Sequence, residues 1–261
     1  MGTQKIQGRL WGKNAIDWAA IQEQTSSEAY RYALQQLQLS SFDQLLDVGC
    51  GAGMFCSMAA KTGAQIKGID ASPELINIAQ NRVTSGEMLV GDMEELPYAN
   101  HSFDVVTSLQ SFHYAGNMSN AVGEAKRVLK NNGTLVALTW GPKEACDAVS
   151  YFNVVTSLLP PDSSGTLDPF GLSEYNRIDN MLKEERFSIE NIEDVSAHWI
   201  YPDRDIALRG LLSGGTAARA IEHRGYETVA GAVWDTLHAH EKKNGQIVYK
   251  NVFRLIIASN K

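Results

Sequence analysis

The sequence contains few cysteines, and their arrangement argues against two kinds of stabilised small protein. Of 261 residues only Cys50, Cys56 and Cys146 carry thiols. An odd count, with one thiol inside a glycine-rich segment, is not typical of a disulfide framework. No two of these cysteines have the spacing of metal ligands together with a second cluster of ligands elsewhere in the sequence. We therefore expect neither a disulfide scaffold nor a metal site.

Long apolar runs and clusters of basic residues are also missing. No window approaches the length of a membrane span, and the first residues lack the apolar segment of a secretory signal. The net charge is −7, from 23 Lys and Arg against 30 Asp and Glu. Nucleic-acid binders usually concentrate basic residues. We expect a cytoplasmic protein with neither a membrane nor a nucleic acid as partner.

Strands and helices alternate through residues 41–140, which we interpret as the ligand-binding core. Ser72 and Pro73 are a typical N-cap and first helical residue. Alternation at this spacing predicts a parallel sheet covered by helices on both faces, with ligands at the carboxyl ends of the strands. The predicted strands are 44–49, 64–70, 87–92, 103–110 and 133–140, and the predicted helices are 54–63, 72–83 and 120–130.

The rest of the chain is predicted to add helices and two more strands to one domain. Residues 1–40 are helical, with a helix at 26–39 capped by Ser26 or Ser27. Residues 188–261 hold a strand, a helical insertion and a long final strand that we expect to be antiparallel. Between the core and this section, 141–187 forms an insertion. Its predicted parts are an apolar helix at 151–159, a loop at 160–171 that we interpret as a moving lid, and a helix at 173–187.

The segment LLDVGCGAG, residues 45–53, is a glycine-rich loop after a short strand. A dinucleotide fingerprint needs a small third residue, but that position is Met54 in one frame and Cys56 in the other. A phosphate-binding P-loop fails because no Gly-Lys-Ser/Thr follows. The pattern is instead Asp-x-Gly-x-Gly-x-Gly, from Asp47 to Gly53.

With that pattern the chain resembles the class I S-adenosylmethionine-dependent methyltransferases, in particular the small-molecule group that includes the quinone-biosynthesis C-methyltransferases. The resemblance covers 44–140 through LLDVGCGAG, IKGIDASPELINIAQ, GDMEELPYANHSFDVVTS and AKRVLKNNGTLV. It implies a Rossmann-like, mostly parallel sheet of seven strands, S-adenosylmethionine as cofactor and S-adenosylhomocysteine as product. It also implies in-line transfer of a methyl group to a small, partly apolar molecule, by a monomer or homodimer.

The chemistry of this cofactor agrees with the residues at the strand ends. Glycines let the backbone approach a ligand closely, and the N-terminus of the next helix favours the methionine carboxylate. Asp47 is a natural partner for the ammonium, Asp70 for the ribose hydroxyls and Asp92 for the adenine amine. The residues predicted to bind the cofactor are Asp47, Gly49, Cys50, Gly51, Gly53, Asp70, Ala71, Asp92, Met93 and Leu109.

For the methyl acceptor the sequence offers one candidate base and a set of aromatic residues. His113 follows the fourth strand and is suited to act as a base at neutral pH. Trp11, Trp18 and Phe152 are predicted to form an apolar wall of the acceptor site, together with Tyr30 and Trp199. The same stretch lacks the Asn/Asp-Pro-Pro-aromatic motif of enzymes that methylate amino groups of nucleic-acid bases.

Two alternatives remain open at this level. The same fold and cofactor serve some relatives without methyl transfer, with the cofactor acting as an electrostatic element. The other alternative is a nucleotide- or NAD-binding oxidoreductase or binding module. Met54 argues against it, because the dinucleotide fingerprint needs a small residue at that position. Formation of S-adenosylhomocysteine and a nicotinamide titration separate the three hypotheses.

Overall fold

Seven strands form the central sheet of the computed structural model, which describes residues 2–161, 169–172 and 177–261. Two further short strands pair with each other outside that sheet. The strands are β1 (Gln44–Val48), β2 (Gln65–Asp70), β3 (Glu87–Val90), β4 (Phe103–Leu109), β5 (Leu129–Trp140), β6 (Phe187–Ser196), β7 (Trp199–Tyr201), β8 (Ile247–Tyr249) and β9 (Val252–Asn260).

The order across the sheet is β3-β2-β1-β4-β5-β9-β6, and β1 to β5 run parallel. Strand β9 lies antiparallel between β5 and β6, as expected for the final strand. The order reverses between β1 and β4, so the loops after these two strands meet at the switch point where such sheets bind ligands. The predicted fold class is confirmed.

Helices cover both faces of this sheet. Their bounds are α1 (Gln4–Gly12), α2 (Ala15–Asp17), α3 (Ser27–Leu37), α4 (Met54–Ala60), α5 (Pro73–Arg82), α6 (Met118–Val128), α7 (Val149–Ser157), α8 (Arg177–Glu184), α9 (Arg204–Leu212), α10 (Gly215–Arg224) and α11 (Tyr226–Leu237). Helices α3 to α5 bury Ala29, Phe55 and Ile76 against one face, and α6 and α8 bury Val122 and Leu182 against the other. No helix in the described ranges is long and apolar enough to cross a bilayer.

Two predicted helix starts have different outcomes. The Ser72 hydroxyl accepts a hydrogen bond from the Leu75 amide at 3.2 Å, so the predicted cap of α5 is confirmed. The cap predicted at Ser26 or Ser27 is wrong, because helical turns run into α3 from α2 through a π-helical turn (Trp18–Gln22) and a 3₁₀ turn (Glu23–Ser26). Single π-helical turns are frequent at functional sites.

Both strands predicted after the core are divided in the structure. Residues 188–202 supply β6 and β7, and 245–260 supply β8 and β9, with β7 and β8 in a separate antiparallel pair. The division occurs at Asn251, whose buried side-chain oxygen accepts the Ala148 amide at 2.9 Å and ties this turn to the start of α7. Because the hydrophobic pattern of the sequence continues through this turn, the pattern does not show where one strand ends and the next begins.

Parts of the predicted insertion lie outside the described residues. This applies to 162–168, most of the predicted lid, and to 173–176, the start of the predicted helix that is seen as α8. The division into four sections of one domain stays a prediction. Helix α1 lies against α10, where Arg9 and Lys13 form ion pairs with Glu222, so the first section of the chain contacts the last section.

Candidate functional site

An open cavity lies at the carboxyl ends of the parallel strands. It is bordered by the loops after β1 to β5, by the N-terminal helices and by α7, β7 and the start of α10. Asp47 and Gly53 do not line it. The predicted residues that the structure brings together there are Trp11, Trp18, Tyr30, Gly49, Cys50, Gly51, Asp70, Ala71, Asp92, Met93, Leu109, His113, Phe152 and Trp199.

The three loop glycines have positive φ angles and three different surroundings. Their φ values are +78°, +56° and +79° for Gly49, Gly51 and Gly53. A Cβ on Gly49 would overlap the Ser111 side chain, and one on Gly53 would lie 2.8 Å from Cβ of Ala79 in α5. A Cβ on Gly51 would find its nearest atoms 3.5 and 3.6 Å away, inside the cavity. Gly51 therefore keeps ligand space open, whereas Gly53 allows close packing of the loop on α5.

Asp70 ends β2 and holds the glycine loop. Its two carboxylate oxygens accept the Gly51 and Ser72 amides, each at 2.9 Å. Burial raises the pKa of this carboxyl above its ordinary value, and the backbone hydrogen bonds act in the opposite direction. A carboxylate has about four lone-pair sites, so each oxygen keeps capacity for another donor.

Asp47 lies below the loop rather than in the cavity. Its oxygens accept the Thr107 hydroxyl at 2.7 Å and the Cys56 thiol at 3.5 Å, and its side chain is buried. Burial raises its pKa to about 6. The predicted partner of the ammonium is thus enclosed between β1, β4 and α4.

Glu23 is a cavity residue that sequence reasoning missed. It is buried in the 3₁₀ turn, forms an ion pair with Arg82 of α5 and accepts the Met54 amide at 3.4 Å. Burial raises its pKa to about 7 against the attraction of Arg82. A carboxylate therefore already faces the N-terminus of α4, where the cofactor carboxylate was expected. No local motif indicates Glu23, because its partners lie 31 and 59 residues further along the chain.

Helix α1 covers the cavity at the ends of β2 and β3. A Cβ on Gly8 would overlap the Ala71 carbonyl, and one on Gly12 would overlap the Glu74 carboxylate. The hydroxyl of Thr3, just before α1, donates to the Tyr114 carbonyl at 2.6 Å. Small residues on α1 thus allow close approach to the sheet edge, and the helix acts as a cover that the sequence did not predict.

Aromatic rings connect the glycine loop to His113. The ring centroids of Trp11 and Trp18 are 4.6 Å apart, those of Trp11 and Tyr114 5.2 Å, and those of Tyr114 and His113 4.1 Å. A Cβ on Gly215 would lie 2.6 Å from Nε1 of Trp11, so this ring packs against the start of α10. Trp11 and Trp18 therefore border the loop end of the cavity, whereas Phe152 packs against Trp140 in another part of it.

Farther from the loop, five residues form what we call the aromatic chamber: Trp140, Tyr151, Phe152, Trp199 and Phe253. All five line the cavity. The Trp140 ring lies 5.3 Å from Phe152, 5.4 Å from Trp199 and 4.9 Å from Phe253, in edge-to-face arrangements. Register places Trp140 of β5 opposite Phe253 of β9, which explains why residues 113 positions apart share this wall.

His113 lies in the cavity with 6% of its surface exposed. Burial lowers its pKa to about 4, so the imidazole is neutral at pH 7. Its Nδ1 has no hydrogen-bond partner among the described residues. A pKa this low makes His113 a weaker base than predicted, although a neutral ring nitrogen is still able to accept a hydrogen bond.

Comparison with known proteins identifies the family. A family model described as methyltransferase domain matches residues 46–137. The 27-O-demethylrifamycin SV methyltransferase of Amycolatopsis mediterranei is 33% identical over 203 residues, which are 73% of this chain and 72% of that protein. The chain belongs to the class I S-adenosylmethionine-dependent methyltransferases. The resemblance stated from the sequence is confirmed, and the NAD-binding alternative is not favoured.

The match to another methyltransferase of this family is shorter. Demethylmenaquinone methyltransferase of Tropheryma whipplei is 33% identical over 132 residues, or 50% of this chain, and the chain spans only 55% of that protein. The family model, which matches residues 46–137, includes the glycine loop but neither Phe152 nor Trp199.

Solved structures agree in fold with this methyltransferase. The YcgJ protein of Bacillus subtilis matches with a TM-score of 0.61, 20% identity, and coverage of 89% of this chain and 97% of that one. The [4+2]-cyclase SpnF matches with a TM-score of 0.59 and 21% identity over 93% and 83% of the two chains. Neighbours at this identity share the fold, and the reaction has to be argued from the cavity.

Proposed function

We propose that this methyltransferase binds S-adenosylmethionine at the glycine loop and transfers its methyl group to a small, partly apolar molecule, releasing S-adenosylhomocysteine. The observation that carries the proposal is that a cavity joins the loop to the aromatic chamber, with Leu109 and His113 among its lining residues. The names of two relatives give demethylmenaquinone and 27-O-demethylrifamycin SV as their acceptors. Both support a small molecule here.

The charges of the cavity fit this cofactor. Of the lining residues that the structure describes, the charged ones are Glu23, Asp70 and Asp92, and all three are acidic. The cofactor offers a sulfonium, an ammonium and several hydroxyl and amine donors, all of which favour carboxylates. A pyrophosphate in the same place would face these carboxylates without a basic side chain among the described lining residues. The open space at Gly51 supplies the room for a ligand against the backbone.

Each acidic side chain has capacity for a different part of the cofactor. Asp70 would accept ribose hydroxyls with the lone pairs that Gly51 and Ser72 leave free. Asp92, one of whose oxygens accepts the Glu94 amide at 2.9 Å, would accept the adenine amine beside Met93. Oε1 of Glu23 is the carboxylate atom nearest to the position that a Cβ on Gly51 would take, at 3.5 Å, so we assign the ammonium to Glu23 in place of Asp47.

When bound, the cofactor supplies a methyl group already activated by the sulfonium. The chain then has to align the acceptor with that carbon and exclude water, and alignment supplies a large part of the rate enhancement of such displacements. Helix α1 and the Trp11–Trp18 pair cover the loop end of the cavity, and the aromatic chamber holds the acceptor. His113 accepts a hydrogen bond from the acceptor and orients its nucleophilic atom.

Calorimetric titration with S-adenosylmethionine, S-adenosylhomocysteine and NADH tests the cofactor assignment. We expect the two sulfur ligands to bind, and Asp70→Asn to weaken both at least tenfold, because about 1.4 kcal/mol of lost hydrogen bonding is a factor of ten. Asp235→Asn, on the exposed side of α11, is the matched control and should bind as wild type. Tight binding of NADH with no response to either sulfur ligand would overturn the proposal.

A further inference from the structure

The aromatic chamber differs from the rest of the cavity in its charge. The three charged lining residues that are described, Glu23, Asp70 and Asp92, lie at the loop or the ends of β2 and β3. None belongs to the chamber. A carboxylate or phosphate bound there would lose its hydration without gaining a described cation, which is strongly unfavourable. The chamber therefore selects against anionic acceptors.

Cationic acceptors are disfavoured by the same burial. His113 lines the same cavity, and desolvation alone lowers its pKa. A protonated amine bound beside it would meet the same loss of hydration. Ring faces attract cations, but the Trp140 ring packs edge-to-face with three neighbours of the chamber. A neutral molecule with an apolar ring system fits this surface best.

One polar residue of the cavity has an unexplained conformation. Gln110, directly after β4, has a φ of +63°, a region that non-glycine residues other than Asn, Asp and His rarely adopt. The backbone N–H of Gln110 donates to the Leu138 carbonyl at 2.8 Å, and this bond holds the backbone in place. Strained residues of this kind cluster at ligand sites.

The side chain of Gln110 is unsatisfied as well. Its Oε1 and Nε2 are both buried, and neither has a hydrogen-bond partner in the described part of the chain. The same holds for Nδ1 of His113, three residues later. Buried polar groups without partners are costly and uncommon in native proteins. A donor, an acceptor and an imidazole nitrogen without described partners thus belong to two residues that line the cavity.

We propose that the aromatic chamber binds a neutral aromatic acceptor that carries a hydroxyl or carbonyl oxygen, and that Gln110 is the residue that recognises this oxygen. Its amide donates to a carbonyl or accepts from a hydroxyl, and His113 supplies a second acceptor. Gln110 is a positioning residue in this arrangement. The inference rests on the proposed function, since it concerns the acceptor of the same methyl transfer.

The test uses small probes with the protein saturated by S-adenosylhomocysteine. The probes are 1-naphthol, naphthalene and 1-naphthoate, which share one ring system and differ in the polar group. We expect wild type to bind naphthol about tenfold more tightly than naphthalene or naphthoate, because one hydrogen bond to a buried group is worth about that factor. Dissociation constants follow from quenching of tryptophan fluorescence.

Variants of Gln110 separate recognition from folding. Gln110→Leu replaces the amide with an apolar side chain of similar volume and should bind naphthol no better than naphthalene, with naphthalene affinity unchanged. Gln110→Asn retains the amide in a residue that tolerates positive φ, and should keep part of the preference. Gln35→Leu, on the exposed surface of α3, is the matched control and should behave as wild type. Affinity for S-adenosylhomocysteine should be the same in all three.

Each other outcome overturns the proposal. Equal binding of naphthol and naphthalene by wild type removes the polar recognition, and tight binding of naphthoate removes the charge argument. A naphthol preference that survives in Gln110→Leu removes Gln110 from recognition. If no probe binds while S-adenosylhomocysteine does, the chamber is not an aromatic site, but the proposed function stands. Failure of S-adenosylhomocysteine itself to bind is a failure of the proposed function.

Discussion

The Glu23 carboxylate and the Arg82 guanidinium form an ion pair beside the glycine loop. Arg82 also donates to the carbonyls of Ala52 in the loop, at 3.1 Å, and Ala19 in the π-helical turn, at 2.8 Å. The pair thus joins three segments: the N-terminal turns, the loop and the end of α5. Glu23 is almost completely buried, so the arrangement depends on Arg82 for charge balance.

Removing Arg82 should destabilise the protein more than removing both partners. Arg82→Gln leaves a buried carboxylate without its cation, and losses of about 3–5 kcal/mol are typical of such changes. The double variant Glu23→Gln, Arg82→Gln should lose less free energy of unfolding in urea than Arg82→Gln alone at pH 8. At pH 5.5, below the Glu23 pKa of about 7, Glu23 is protonated and the difference should shrink.

Arg31→Gln, exposed on α3, is the control for a lost arginine and should leave the free energy of unfolding unchanged. Equal losses in the single and double variants would mean that Arg82 acts through its bonds to Ala52 and Ala19 rather than through Glu23.

Glu23 and Asp47 should differ in their effect on ligand binding, because Glu23 lines the cavity and Asp47 does not. We expect Glu23→Gln to weaken S-adenosylhomocysteine about tenfold, the size of one charge-assisted hydrogen bond. Binding of 5′-methylthioadenosine, which has no amino-acid part, should not change. Asp47→Asn should affect neither ligand by more than about twofold, since its carboxylate contacts Thr107 and Cys56. Calorimetry measures both affinities.

The pH dependence of this binding supplies a second readout. Ionisation of Glu23 as the pH rises through about 7 should strengthen binding of S-adenosylhomocysteine to wild type between pH 6 and 8. The Glu23→Gln variant should lack this rise. A rise of equal size in both proteins would assign the ammonium to another group.

Ionisation of Asp47 should lower the stability of the fold as the pH increases. Its pKa is raised from 3.8 to about 6 by burial, so its favourable contribution is complete below 3.8 and is lost as the pH passes 6. A pKa difference of about two corresponds to about 3 kcal/mol. We therefore expect wild type to lose about that much free energy of unfolding relative to Asp47→Asn when the pH is raised from 4 to 7, as measured by urea titration. Asp235→Asn should show a constant difference, and a flat curve for Asp47→Asn would contradict the assignment.

Closure of the cavity by α1 should depend on the absence of a side chain at Gly8. In Gly8→Ala the new Cβ would overlap the Ala71 carbonyl, so α1 must move from the sheet edge. We expect binding of S-adenosylhomocysteine to weaken about tenfold, the result of about 1.4 kcal/mol of displaced contacts. Proteolysis within α1 should also become faster.

Gly231→Ala in α11 is the matched control, because a Cβ there meets nothing within 4 Å. It should stabilise its helix by up to about 1 kcal/mol and leave binding unchanged. Equal affinity of Gly8→Ala and wild type would show that α1 does not cover the bound cofactor.

The sequence by itself determined the parallel core and the edge at which the ligand site lies. Apolar strands alternate with helices; Asp70 ends β2, and Asp92 lies two residues after β3. Because the carboxyl ends of parallel strands meet at one edge, local patterns were sufficient to bring these residues and the glycine loop together. The same argument placed Leu109, which ends β4, and His113, which follows it.

The tertiary structure alone decided which groups face the cavity. Asp47 is one residue from the end of a strand that is covered on both faces, so its side chain enters the core beside Thr107. Glu23 reaches the loop because a π-helical turn and Arg82 position it from distant parts of the chain. The strain at Gln110 and the split of β8 from β9 likewise depend on contacts with residues far along the chain. Sequence periodicity reports which residues are buried, and only packing decides what they are buried against.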